Sequence, residues 1–194
     1  MQKKRYTGYI VGAVLILLGI YVIVTYNSLV KKEEKVKQQW SEVQNTYQRR
    51  LDLVPNLVNV VKGVSDFEQT TLENIAAARS KAISGQTDDI TSDNYNKQRG
   101  LQDSLAAAAN KLIVIIEKYP VLKGTTAYSG LQTQLEGTER RIKVARNDFN
   151  ESVADYNTKV RGGSALLVAK LLGFKPKEGF QAVTGSDKAV EIKF

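Results

Sequence analysis

The pattern of apolar and polar positions is helical along most of the chain. Between Trp40 and Gly63, the residues Trp40, Val43, Tyr47, Val54, Leu57 and Val61 fall at steps of three, four or seven. That spacing lines one face of an α-helix. Arg50 stands where an apolar residue is expected, with Leu51 beside it. Pro55 lies inside the stripe. Proline has no N–H and its ring crowds the carbonyl one turn back, so a kink is expected just before it. Arg49, Arg50 and Asp52 would sit at that joint. The stripe resumes and runs through Val61, Val64, Leu72 and Ile75 to Ala82, where Ser84-Gly85 offers a helix end.

Upstream, Gly8 to Tyr26 is an uncharged run of 19 residues. As a helix it is about 28 Å long, close to the hydrocarbon thickness of a bilayer. Tyr6, Tyr9 and Tyr26 lie near its ends, where an interfacial aromatic belt belongs, and Leu15 and Leu18 lie at its centre. A cleaved signal peptide would have a shorter apolar core and small residues before the cut. Val24, Thr25, Tyr26 and Asn27 stand there instead, so a retained membrane anchor is expected. No Gly or Pro separates Asn27 from Pro55, which predicts a stiff rod joining the anchor to the body.

Downstream, residues 85–93 read as a polar turn, with Asp88, Ser92 or Asp93 available to cap the next helix. Leu101, Leu105, Ala108, Leu112, Ile115 and Tyr119 mark that helix with a heptad-like seam. Tyr119-Pro120 ends it, and a turn near Lys123-Gly124 leads to a third long helix. Its buried face is Leu131, Leu135, Thr138, Ile142, Ala145, Phe149, Val153 and Tyr156. Arg161-Gly162-Gly163 breaks this helix. Ser164 then caps a short apolar one, from Ala165 to Leu172, ended by Gly173. In the closing KAVEIKF, Val190, Ile192 and Phe194 alternate as in a strand, which is unstable alone and would add to another chain's edge.

Composition narrows the chemistry. There is no cysteine and no histidine in 194 residues. Zinc sites built from Cys or His, thiol nucleophiles and a histidine general base are therefore excluded. No phosphate-binding glycine loop or nucleophile elbow is present. No enzyme activity, cofactor or metal site is expected. The net charge is +8. Residues 1–40 hold +5 of it, from Lys3, Lys4, Arg5, Lys31, Lys32, Lys35 and Lys37 against Glu33 and Glu34. Basic groups flanking an apolar run meet lipid headgroups, so the bilayer and not nucleic acid is the expected partner.

Two motif blocks carry a resemblance. Trp40, Arg49, Arg50, Asp52, Leu53, Val54, Pro55, Asn56, Leu57 and Val58, closed by Val61, Lys62 and Gly63, resemble the signature of the LemA family. Glu117, Tyr119, Pro120 and Leu122, then Leu131, Leu135, Glu136, Glu139, Ile142, Arg146, Phe149, Asn150, Val153, Tyr156 and Asn157, resemble its later motifs. With Gly173-Phe174-Lys175-Pro176, the likeness covers residues 26–176. It implies a helical fold with an N-terminal membrane anchor in a bacterial cell membrane. Charge does not choose the side, because three basic residues precede the span and four follow it. The family pattern of basic residues after the span implies a cytoplasmic body.

The expected protein is all-α. A basic tail (1–7) and a transmembrane helix (8–26) precede a LemA-like antiparallel bundle (27–172) of three long helices plus a short fourth. A tail (173–194) follows. The expected role is a membrane-anchored scaffold that binds itself or another membrane protein. Arg49, Arg50, Asp52, Pro55, Asn56 and Lys62 form the kink site. It can serve as an anion, headgroup or partner site, or as a structural network in which Arg50 bonds freed carbonyls or a carboxylate of another helix. The structural reading is preferred.

Overall fold

A computed structural model of the chain describes residues 3–62, 69–87 and 89–181. The order of elements is α1 (Lys3–Val61), α2 (Gln69–Ser84), α3 (Ser92–Ile116), α4 (Pro120–Lys123), α5 (Thr126–Arg161) and α6 (Ala165–Leu171). No strand occurs among the described residues. The all-α bundle with a long N-terminal apolar helix is thus as expected. The alternating tail residues Val190, Ile192 and Phe194 lie outside the described residues.

α1 is 59 residues long and unbroken through Pro55, a rod of about 88 Å at the usual rise. Cross-contacts fix the direction of the other helices. α5 runs antiparallel to α1, since Lys32 meets Asp155 and Arg50 meets Glu139. α3 runs parallel to it, since Trp40 stacks near Tyr95 and Arg50 reaches Gln102. α2 runs antiparallel, with Arg79 opposite Leu51 and Gln86 opposite Gln48.

One local expectation changes. The stripe after Pro55 does not continue as one helix to Ala82. α1 stops at Val61, and α2 turns back along α1 and α3. Folding back buries Ile75 and Ala82 in the same core as Val54, Leu57 and Val61, which a straight helix would leave in water. The stiff connection runs within the bundle. Leu29 and Val36 are already fully buried, so the bundle reaches down to the end of the apolar run.

The caps differ from expectation too. Thr91, not Ser92 or Asp93, caps α3 by accepting from the Asn94 N–H; Asp88 lies outside the described residues. Ser164 occupies the N-cap position of α6 without a capping bond. The α3 seam is rotated by one position. Its buried face is Tyr95, Gln98, Gln102, Leu105, Ala109, Leu112 and Ile116. Leu101 and Ala108 are only partly buried against the neighbouring core.

The core has two parts with a polar layer between them. One cluster joins Leu29, Val36, Trp40, Val43 and Tyr47 to Tyr95 and the second half of α5. The other joins Leu51, Val54, Leu57 and Val61 to α2, the second half of α3 and the start of α5. At the junction lie buried Thr46, Arg50, Gln98, Gln102 and Thr138.

The chain after α6 binds the bundle as an extended strap. A Schellman turn closes α6. The Phe174 N–H donates to Ala169 O at 2.9 Å, around Gly173 at φ +79°. Asn157 then pairs with the backbone of Lys177, and Asn150 with that of Phe180. The two asparagines are seven apart on α5, one face and two turns, and each satisfies a donor and an acceptor of the strap. Phe180 enters an aromatic nest with Trp40, Tyr95 and Phe149, at centroid distances of 5.1 to 6.1 Å. Trp40 is therefore a core residue, 2% exposed.

Candidate functional site

The kink residues go to three places. Arg50 is 1% exposed and points into the polar layer. Its Nη2 donates to both carboxylate oxygens of Glu139 at 2.6 Å. Its Nη1 donates to the carbonyl of Gln102 at 2.8 Å and to the side-chain oxygen at 3.3 Å. One guanidinium thus ties α1 to α3 and α5. Pro55 and Lys62 line a groove of about 470 Å³ between α1 and α2. Arg49, Asp52 and Asn56 are exposed, with Asp52 accepting from Gln48 at 2.8 Å. Arg49 and Lys62 are about 20 Å apart along the helix axis. The structure therefore does not bring Arg49, Arg50 and Lys62 to one anion.

Proline 55 is accommodated by a residue outside the expected site. The carbonyl of Leu51 loses its helical donor to the proline, and Arg79 Nε of α2 donates to it at 3.0 Å. Arg79 follows Ile75 by four positions on a stripe that ends at Ala82, so a charge on an apolar face was its visible signal. Gln98 and Gln102 had a similar one. They belong to a series (95, 98, 102, 105, 109, 112, 116) with the same three-four spacing as the apolar seam.

A second ionic cluster braces the same level. Arg146 donates from Nε to the Tyr47 hydroxyl at 3.0 Å and from Nη2 to Asp103 at 2.9 Å. Its guanidinium also lies over the Tyr47 and Phe180 rings. Burial pushes the Tyr47 hydroxyl above the usual phenol range, against the opposing pull of Arg146. These charge-paired carboxylates and capped carbonyls hold the helices in register. Among the described residues no three carboxylates gather as a metal site would need.

The other feature is the apolar part of α1. It is long and apolar enough to cross a membrane. Tyr9, Leu15, Leu18 and Tyr26 are 72%, 63%, 54% and 44% exposed. Leaving such a surface in water is costly, at roughly 25 cal/mol per Å². Among the described residues, the end of the run touches the body. Tyr21 donates to Ser164 Oγ at 2.6 Å, Thr25 is buried, and the Tyr26 ring meets Phe174 at 5.9 Å.

Comparison with known proteins gives this architecture a family. The LemA family model matches residues 39–194, from Trp40's neighbour to the C-terminus. The chain belongs to the LemA family. Protein LemA of Metamycoplasma hominis is 25% identical over 171 residues, covering 87% of this chain and 75% of that protein. Magnetosome protein MamQ 2 of Paramagnetospirillum magneticum is 24% identical over 188 residues, covering 87% of this chain and 69% of its own. Magnetosome protein MamQ of Magnetospirillum gryphiswaldense is 25% identical over 188 residues, with the same coverage. The LemA match takes in Arg50, Gln102, Glu139 and the whole strap.

Proposed function

We propose that this LemA-family protein is a single-pass, membrane-anchored scaffold that associates with itself or with another membrane protein. The carrying observation is that the exposed apolar run and the bundle share one uninterrupted helix, α1. Whatever binds the body is then held at a fixed distance from the bilayer. The absence of histidine and cysteine from the sequence supports a role in binding over one in catalysis. Relatives named as magnetosome proteins support a part in an assembly. The proposed place is a bacterial cell membrane, entered through the apolar part of α1.

The test is the mass of the detergent-solubilised full-length protein by light scattering, corrected for detergent. A discrete oligomer supports self-association. A monomer overturns it and leaves a different membrane protein, such as an enzyme that this chain accompanies, as the partner to capture. Removal of residues 187–194, which carry Val190, Ile192 and Phe194, lowers the mass if the tail makes the contact. An unchanged mass eliminates the tail.

A further inference from the structure

We propose that α6 and its flanking turns lie in the lipid surface, so that the near end of the bundle is itself a membrane-binding face. The inference rests on the reading of residues 8–26 as a membrane span. α6 is apolar on two sides. Ala165, Val168 and Ala169 are buried in the bundle, while Leu167 and Leu171 turn outward at 74% and 80% exposure. Leu172 follows at 43%. A lone exposed leucine needs no explanation. Here Lys170 is the helix's single polar residue, so no hydrophilic face is turned to water.

Depth decides what covers these leucines. The start of α6 is held by the Tyr21 hydroxyl on Ser164, and the turn after it by the Tyr26 ring on Phe174. Both partners belong to the apolar run of α1. Five helical residues rise about 7.5 Å. α6 is therefore pinned between the end of the span and a level about 7.5 Å inside it. Apolar side chains of interfacial helices insert to a similar depth, roughly 5–10 Å. A bundle standing clear of the bilayer cannot hold α6 at that level.

The rim charge has the matching sign. Arg161 precedes the helix, Lys170 lies within it and Lys175 follows it, all exposed. Long basic side chains lay their stems on apolar surface and reach phosphates with their heads. Two carboxylates of this end, Asp155 and Glu33, are paired with Lys32 and Lys177. The occupant is an anionic phospholipid surface.

The chain has no cysteine, so single-cysteine variants report one place each. L171C, L167C, L15C and V114C are labelled with an environment-sensitive fluorophore in the full-length protein. Each is reconstituted into phosphatidylcholine–phosphatidylglycerol vesicles carrying nitroxide lipids, labelled near the headgroup or near the chain end. Val114 is exposed at the far end of α3 and is the aqueous reference. The expected result is severalfold stronger quenching at 171 and 167 than at 114, with the shallow nitroxide the more effective. Leu15 is quenched best by the deep one. Quenching at 15 without quenching at 171 and 167 overturns the proposal and leaves the anchor intact. Loss of quenching at 15 as well removes the anchor reading and this inference together.

Discussion

Arg79 Nε sits 3.0 Å from the carbonyl of Leu51, the one acceptor that Pro55 deprives of its helical N–H. A side chain from α2 thus completes a hydrogen bond that α1 cannot make for itself. This allows α1 to pass through the proline without ending. The price of replacing Arg79 by Met is an unsatisfied carbonyl, about 1–3 kcal/mol. Pro55→Ala restores the local donor, so the same Arg79→Met change costs much less in that background. A double-mutant cycle by denaturant unfolding measures the difference. Equal costs in both backgrounds would sink the account.

Arg50 and Glu139 are an asymmetric pair. The arginine side chain is 2% exposed and the glutamate 47%. Removing the exposed partner strands the buried charge. Glu139→Ala is expected to cost about 3 kcal/mol, the low end for a broken buried pair because the carboxylate is half solvated. In an Arg50→Met background the same change is nearly neutral. Thermal melts of the four proteins test this, and additive costs would show that the pair is not coupled.

The buried tyrosines give the bundle an alkaline limit. Burial, then Glu33, pushes Tyr156 up to about 12. Tyr47, Tyr95 and Tyr128 are shifted in the same direction, each chiefly by burial. In the unfolded chain these phenols ionise near pH 10. Above that pH the unfolded state holds fewer protons than the folded one, so stability falls as pH rises. Below it, their contribution is intact. The melting temperature should therefore drop between about pH 10 and pH 12. Phenolate absorbance of these residues should appear together with the loss of helix. Full ionisation at pH 10 in a still-folded protein would contradict the assignment.

The strap is read out by amide exchange. The Lys177 and Phe180 N–H groups donate to Asn157 and Asn150 at 2.8 and 2.7 Å. Both amides should exchange slowly in a segment that has no regular structure. Asn150→Ala removes both bonds at Phe180 and should cost about 1–2 kcal/mol, with faster exchange at 180 than at 177. Gly179→Ala has a similar effect for another reason. A Cβ there would stand 2.6 Å from the Asn150 side-chain oxygen. Fast exchange at both amides in the unmodified protein would mean the strap is not bound.

Much of this molecule is written in local periodicity. The apolar run of Gly8–Tyr26 and the face of α5 were legible because each depends only on which residues recur along one helix. Trp40, Val43, Tyr47 and Val54 are all buried where the stripe put them. The structural alternative for Arg50, a carboxylate of another helix, was open from the moment a charge fell on an apolar stripe, because a buried guanidinium needs an acceptor. What no single segment specifies is which acceptor it finds. Glu139 is 89 residues away, and Arg79 meets Leu51 across 28. The reversal between α1 and α2, the rotation of the α3 seam toward Gln98 and Gln102, and the strap on Asn150 and Asn157 are of the same kind. Each follows from burial and hydrogen bonding summed over several helices at once. The sequence alone determined the helices and the exposed apolar run. The tertiary structure decided their order in space, because the energy that selects one packing belongs to pairs of residues distant in the chain.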